Sequence, residues 1–285
     1  MEFKKFPRTT VAGKSLPRML IGTNWMLGWS HRSPAADTQI KEKFAKPEDF
    51  FPMIDAFLKY DINAVMGIVG NMPLMHDAIV YAQEKTGKEL IIIDTPILDV
   101  SDSPEGRKEA EAAIKRSAKA GATFCLPHHS CVEQLVDKGK SEIRRISDYT
   151  SMIRDAGMIP GLSAHMPELI TYSDANEYDI ETYIQIFNCM GFLMQVEIET
   201  IASTINEAKK PVMTIKPMAA GRITPYVGLT FNWNAIRPVD MITVGCFNVD
   251  EVHEDVEISL AAIEGRFPKI EKRDSPNKNQ DAFGG

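Results

Sequence analysis

The sequence predicts a single α/β domain closed as a (β/α)8 TIM barrel, with an N-terminal β-hairpin ahead of it. Three observations carry this. Short apolar runs alternate with helical patterns along the whole chain. After the hairpin there are eight such runs, the number that closes a barrel of parallel strands. The chain has 285 residues, and one barrel of this kind takes roughly 250 residues.

Each element has a local reason. Phe3 to Lys5 and Thr10 to Ala12 flank Pro7-Arg8-Thr9, and Gly13-Lys14 follows, which reads as a short hairpin. Met19 to Thr23 is the first barrel strand. Residues 26–46 are polar and too long for a plain connector, so they are expected to fold over the barrel mouth with Trp25 or Trp29 lining it. Phe50, Phe51, Ile54, Phe57 and Leu58 share one face of a helix. Ile62 to Met66 is the second strand, Pro73 to Glu84 a helix, and Leu90 to Ile93 the third strand, ending on Asp94. Ser103-Pro104-Glu105 opens a helix to Lys119, with proline in its first turn.

The run Gly121 to Ser130 is the fourth strand, and it ends on His128-His129. A helix over Ile143 to Asp155 leads to the fifth strand, Met158 to Ser163, which stops at Ala164-His165. Tyr183 to Phe187 is the sixth strand, ending at Asn188, and Val196 to Lys209 a helix. Val212 to Ile215 is the seventh, ending at Lys216-Pro217, and Met241 to Val244 the eighth. Asn248 to Glu251 resembles a capping box opening the last helix. The barrel domain therefore spans residues 1–265. Residues 266–285 are charged and rich in Pro, Asn and Gly, and read as a polar C-terminal tail.

Composition narrows the function classes. A net charge of −7 without a basic block argues against nucleic acid and anionic membranes as partners. No run is long enough for a membrane span, and the N-terminus lacks a signal-peptide core, so the protein is expected in the cytoplasm. Cys125, Cys131, Cys189 and Cys246 form no CxxC pair and are expected to be reduced there. A small-molecule substrate remains the natural partner.

Catalytic groups of such barrels sit at the C-terminal ends of the strands. The candidates there are Asp94, His128, His129 and His165, on three consecutive strands. Adjacent residues of a strand point to opposite sides, so only one of His128 and His129 faces the mouth unless the strand ends between them. Asp94, His128 and His165 together are a candidate acid/base set, or a candidate site for a divalent metal of the Zn, Mn or Fe type. Lys216 is a candidate for anion binding or proton transfer, and Arg222 for a phosphate.

Several stretches carry a family resemblance. They are Glu2 to Phe6 with Leu20 to Thr23, Leu126-Pro127-His128-His129, Gly161 to Glu168, Ile215 to Arg222, and Val244-Gly245 with Asn248 to Val252. Together they resemble the aldo/keto reductase superfamily, over most of residues 2–263. The resemblance implies a bound NADP or NAD. Gln185 and Asn188 would hold the nicotinamide carboxamide with Phe187 stacking beside it, and the helix start at Asn248 would take a phosphate. It also implies a catalytic Asp, Tyr, Lys and His. The first three positions fall on Met66, Asn71 and Thr95-Pro96, and only His128 matches.

The expected function is therefore an enzyme of aldo/keto reductase ancestry acting on a small polar carbonyl or hydroxyl compound. His128 is its acid/base, and ordinary NADPH-dependent aldehyde reduction is not expected. The alternatives are a metal-dependent lyase, isomerase or hydrolase on the same residues, and a non-catalytic binding protein.

Overall fold

The computed structural model of the protein describes residues 3–270. It opens with the hairpin β1 (Arg8–Val11) and β2 (Lys14–Pro17), then β3 (Met19–Gly22), α1 (Pro34–Lys43), α2 (Pro47–Lys59), β4 (Ala64–Gly67), α3 (Pro73–Thr86), β5 (Ile91–Asp94) and α4 (Pro104–Lys119). The middle of the chain holds β6 (Phe124–Cys125), α5 (His129–Val132), a small hairpin of β7 (Val136–Asp137) and β8 (Glu142–Ile143), α6 (Ile146–Asp155), β9 (Ile159–Pro160), β10 (Leu162–Ala164) and α7 (Glu168–Ala175). It finishes with β11 (Tyr183–Ile186), α8 (Ile198–Glu207), β12 (Val212–Ile215), α9 (Pro225–Ala235), β13 (Met241–Val244) and α10 (Val249–Glu264).

The main sheet runs β10-β11-β12-β13-β3-β4-β5-β6-β9, all parallel. Its two ends are one strand interrupted at Gly161. Ile159–Pro160 pairs with Phe124–Cys125, and Leu162–Ala164 pairs with β11, so the sheet closes as the eight-stranded barrel. Gly161 is required at this switch. A Cβ there would meet a Leu126 side-chain carbon at 2.6 Å and the Thr182 carbonyl oxygen at 2.7 Å.

Two apolar layers hold the barrel. Leu20, Ala64, Met66, Ile93, Phe124, Leu126, Ile184, Met213 and Met241 fill its interior. The opposite faces of the strands pack on the helices in the larger outer core. Val11 and Leu16 belong to the inner layer, so the hairpin plugs the N-terminal end of the barrel. Its turn lies at Ala12-Gly13, where both residues take positive φ, and not at Pro7 to Thr9 as the sequence reading had it.

Helix ends follow their sequence signals. Ser33 and Ser103 cap α1 and α4, each followed by proline in the first turn. The α9 helix was not anticipated. Its apolar residues follow no stripe, and it forms by packing against α10. The four cysteines are unpaired, and among the described residues no helix is long and apolar enough to cross a membrane. Most of the tail anticipated over 266–285 lies outside the described residues.

Candidate active site

The fourth barrel strand stops early, and this decides the geometry of the site. β6 ends at Cys125, and the chain follows β5 only through single bonds from Leu126 N to Asp94 O and His128 N to Pro96 O. His128 then becomes the N-cap of α5. Its Nδ1 accepts from the Ser130 N–H (3.3 Å) and pairs with Ser130 Oγ (2.8 Å). Because the strand has ended, side-chain alternation no longer applies. Both imidazoles face the mouth, with ring centroids 4.2 Å apart.

His165, at the end of the neighbouring strand, stacks on His129 with centroids 3.9 Å apart and planes 11° apart. Glu133 ties this group together. Its Oε1 accepts from the backbone N–H of His165 (2.5 Å) and Met166 (2.9 Å), and its Oε2 lies 3.8 Å from His129 Nδ1. Sequence reasoning missed Glu133, although its spacing of four from His129 was a readable signal.

The facing wall comes from the first loop and the end of β12. Trp25, Trp29 and His31 of residues 26–46 and the residue before them line the same cavity. Lys216 Nζ lies 2.9 Å from His31 Nε2. Arg222 donates to the His31 and Ala219 carbonyl oxygens, both at 3.1 Å, and its guanidinium sits 4.1 Å from the Phe192 ring. The cavity measures about 900 Å³, within the usual range for small-molecule sites. Met66 and Thr95 are on its wall, and so are Glu251, Glu254 and Asp255 at the start of α10.

The two ends of this cavity differ in charge. Burial, aided by His129, pushes the His128 and His165 imidazoles down to about 4. Burial likewise brings the Lys216 ammonium down to about 8. Burial alone would raise the Glu133 carboxyl, but the nearby His129 imidazole and the N–H groups of His165 and Met166 outweigh this and hold it below its ordinary value. At the other end, burial raises Asp255 to about 7; Cys246 Sγ donates to its Oδ2 (3.4 Å), and its Oδ1 has no partner. These acids are a second feature that sequence reasoning missed, having read only the cap in Asn248 to Glu251.

Four of the expected site residues are placed elsewhere. Asp94 is fully buried and turned away from the mouth. Its carboxylate accepts from Val69 N–H (2.7 Å) and Gly70 N–H (3.2 Å) and lies beside Ser117 of α4. The strand continues as far as Asp94, so alternation still applies there: Ile93 faces the barrel interior and Asp94 the helices. The expected Asp94–His128–His165 metal set is therefore not assembled. Among the described residues no three metal-ligating side chains form such a group. The lone pairs of the stacked His129 and His165 rings also lie in separate, nearly parallel planes, an arrangement unsuited to binding one ion in the plane of both rings.

Gln185 is buried on β11, where it donates to the carbonyls of His165 and Ile186, both at 3.3 Å. Asn188 is buried too, and organises its own loop through Met190 N, Phe192 N and Phe192 O. Asn248 spends its side-chain oxygen on Glu251 N as the cap of α10. None of the three lies on the cavity wall, whereas His128, His129, His165, Lys216 and Arg222 do.

The low imidazole values have a consequence for stability. As pH falls through 6.5, the unfolded chain protonates His128 and His165, while the folded chain does so only near 4. The unfolded state binds more protons across this window, so stability is expected to be lost progressively from about pH 6.5 down to about pH 4. With both rings partly solvated, a loss on the order of 1–2 kcal/mol is expected. Urea unfolding at steps through this window measures it. The double variant His128→Gln/His165→Gln should flatten the dependence, and an equally steep loss in that variant would refute the assignment.

Solved structures similar in fold include an assigned aldo-keto reductase from Pseudomonas aeruginosa, at 12% identity and TM-score 0.65, covering 92% of this chain and 98% of that one. An aldo-keto reductase from Klebsiella pneumoniae in complex with NADPH matches at 13% identity and TM-score 0.53, over 94% and 92% of the two chains. Aldose reductase from Giardia lamblia matches at 11% identity and TM-score 0.54, over 89% of each. The fold is thus aldo-keto reductase-like. No family model matches the sequence, and no curated protein matches it.

Proposed function

We propose that this protein is an acid/base enzyme acting on a small polar carbonyl or hydroxyl compound at the barrel mouth. The observation that carries the proposal is the meeting of four imidazoles, His31, His128, His129 and His165, with Lys216 on the wall of one cavity of about 900 Å³. Burial keeps the His128 and His165 imidazoles neutral near neutral pH, so each has a lone pair to accept a proton and an N–H to donate. With Nδ1 accepting from Ser130 N–H, neutral His128 carries its proton on Nε2 and offers it to a substrate oxygen. Among the described residues His165 has no hydrogen bond to either ring nitrogen, which leaves it as the base for a C–H or O–H proton. Lys216 and Arg222 supply positive charge for the oxyanion that forms.

The residues present do not fit NADP. Gln185 and Asn188 are committed to backbone groups, and Phe187 is fully buried against Phe231, with ring centroids 5.3 Å apart. Where the start of α10 would receive a phosphate, Glu251, Glu254 and Asp255 present carboxyl groups. Met66, Asn71 and Thr95-Pro96 provide no phenol or amine at the positions where the resemblance implies Asp, Tyr and Lys. No step is therefore assigned to a nicotinamide. Trp25 and Trp29 line the cavity, so titration with NADPH is expected to leave their emission without a saturable change. Saturable quenching in the micromolar range would overturn this.

The proposal is tested by exchange of protons α to a carbonyl into D2O, followed by proton NMR over a panel of small hydroxy- and oxo-compounds. Catalysed exchange of at least one compound is expected. Absence of exchange across the panel would sink the reading.

A further inference from the structure

We propose that Lys216 is a covalent catalyst that captures a small 2-oxo acid as an imine, an inference that rests on the acid/base reading of the same cavity. Four observations point to it. Lys216 ends β12 in the left-handed region, at φ 59°, and Ala219, Ala220 and Gly221 in the same turn are also left-handed. A non-glycine residue held there costs roughly 1–3 kcal/mol and is kept where the surrounding structure requires it. Second, the side chain reaches the cavity half-buried. Among the described residues its Nζ has no carboxylate in ion-pair range, and its partner is the neutral acceptor His31 Nε2 at 2.9 Å. A lysine kept for structure or solubility usually pairs with an acid or reaches water.

Third, the groups that imine formation needs are on the same wall, namely a proton donor at His128 and a free base at His165. Fourth, Arg222 is fixed by two carbonyl oxygens and the Phe192 face, yet keeps N–H groups for an anion. Its charge, on the same cavity wall and contacting the same His31 as Lys216, selects a carbonyl compound that carries a carboxylate. Burial also brings the Lys216 ammonium down to about 8, so a useful fraction is unprotonated near neutral pH.

The step balances without an added reagent. The Nζ lone pair attacks the carbonyl carbon and forms a C–N bond, while the C=O π pair moves to oxygen, where the His128 Nε2–H hydrogen bond stabilises it. His165 takes one Nζ proton and hands it to this oxygen, giving the carbinolamine. It then takes the second Nζ proton and hands it to the hydroxyl, which leaves as water as the C–O bond breaks and the nitrogen lone pair closes C=N. Amine plus carbonyl thus give imine plus one water. A proton taken up from water makes the imine nitrogen cationic, and it then draws electrons from the neighbouring carbon as His165 removes that carbon's proton.

The experiment uses the full-length protein with pyruvate and sodium borohydride, which reduces an imine to a stable secondary amine. Intact mass and peptide mapping read the product. One N-carboxyethyl group on Lys216 is expected, formed faster as pH rises through about 8. Lys216→Met and Lys216→Arg, checked for folding by circular dichroism, should lose it, and acetone should label far less than pyruvate. Labelling spread over surface lysines, and unchanged in both variants, would overturn the proposal. Equal labelling by acetone would overturn the 2-oxo acid class. If α-proton exchange of pyruvate proceeds with no adduct on Lys216, the imine is wrong and the acid/base reading survives. An adduct on Lys216 without exchange of any compound leaves the imine and sinks the acid/base reading.

Discussion

Replacing His165 by alanine is expected to slow α-proton exchange by roughly 10²–10⁴-fold, the usual contribution of a placed acid or base. Among the described residues the ring has no hydrogen bond of its own, and it is half-buried, so the unfolding midpoint should move little. Its backbone N–H still bonds Glu133, and its carbonyl still accepts from Gln185, so the strand end stays in place. His128→Ala is expected to cost less, roughly 10²–10³-fold, because it removes a donor to the developing oxyanion rather than the base. It also removes the cap of α5, so its effect must be read on folded protein. NMR exchange rates on the two variants, with thermal unfolding in parallel, decide the order. A His165→Ala protein exchanging at the wild-type rate would move the base to His129 or remove the mechanism.

Asp94→Ala should have the opposite signature. The carboxylate holds two backbone N–H groups in a fully buried site beside Ser117. Its loss strands at least two buried donors, each worth about 1–3 kcal/mol. The expected result is a fall of about 3–5 kcal/mol in unfolding free energy, at the upper end because a small cavity is added. Exchange per folded molecule should not change. Asp94→Asn keeps one acceptor oxygen and should lose less stability. Denaturant titration with matched activity measurements checks both, and an Asp94→Ala protein that is stable but inactive would return Asp94 to the catalytic group.

These two experiments separate residues that look alike in the sequence. Asp94 and His165 both end apolar runs, on the two strands that flank β6. Asp94 lies within a paired strand, so its direction follows from Ile93 beside it, which fills the interior. His165 follows the last paired residue of β10 and is free of that alternation. The same distinction explains why His128 and His129 face one way.

Periodicity and local chemistry were enough to establish the eight strands, their order, the caps at Ser103 and Asn248, and the histidines at a strand end. Each of these depends on near neighbours in the chain, through hydrophobic spacing, a capping oxygen or a proline in a first turn. The switch at Gly161, the α9 helix, the inward acids of α10 and the outward turn of Asp94 were decided only in the tertiary structure. They depend on which distant backbone or helix lies alongside: Thr182 beside Gly161, α10 beside α9, and Ser117 beside Asp94. Lys216 shows both sides. Its place at the end of an apolar run was readable, but its left-handed backbone and its imidazole partner 185 residues away come from packing.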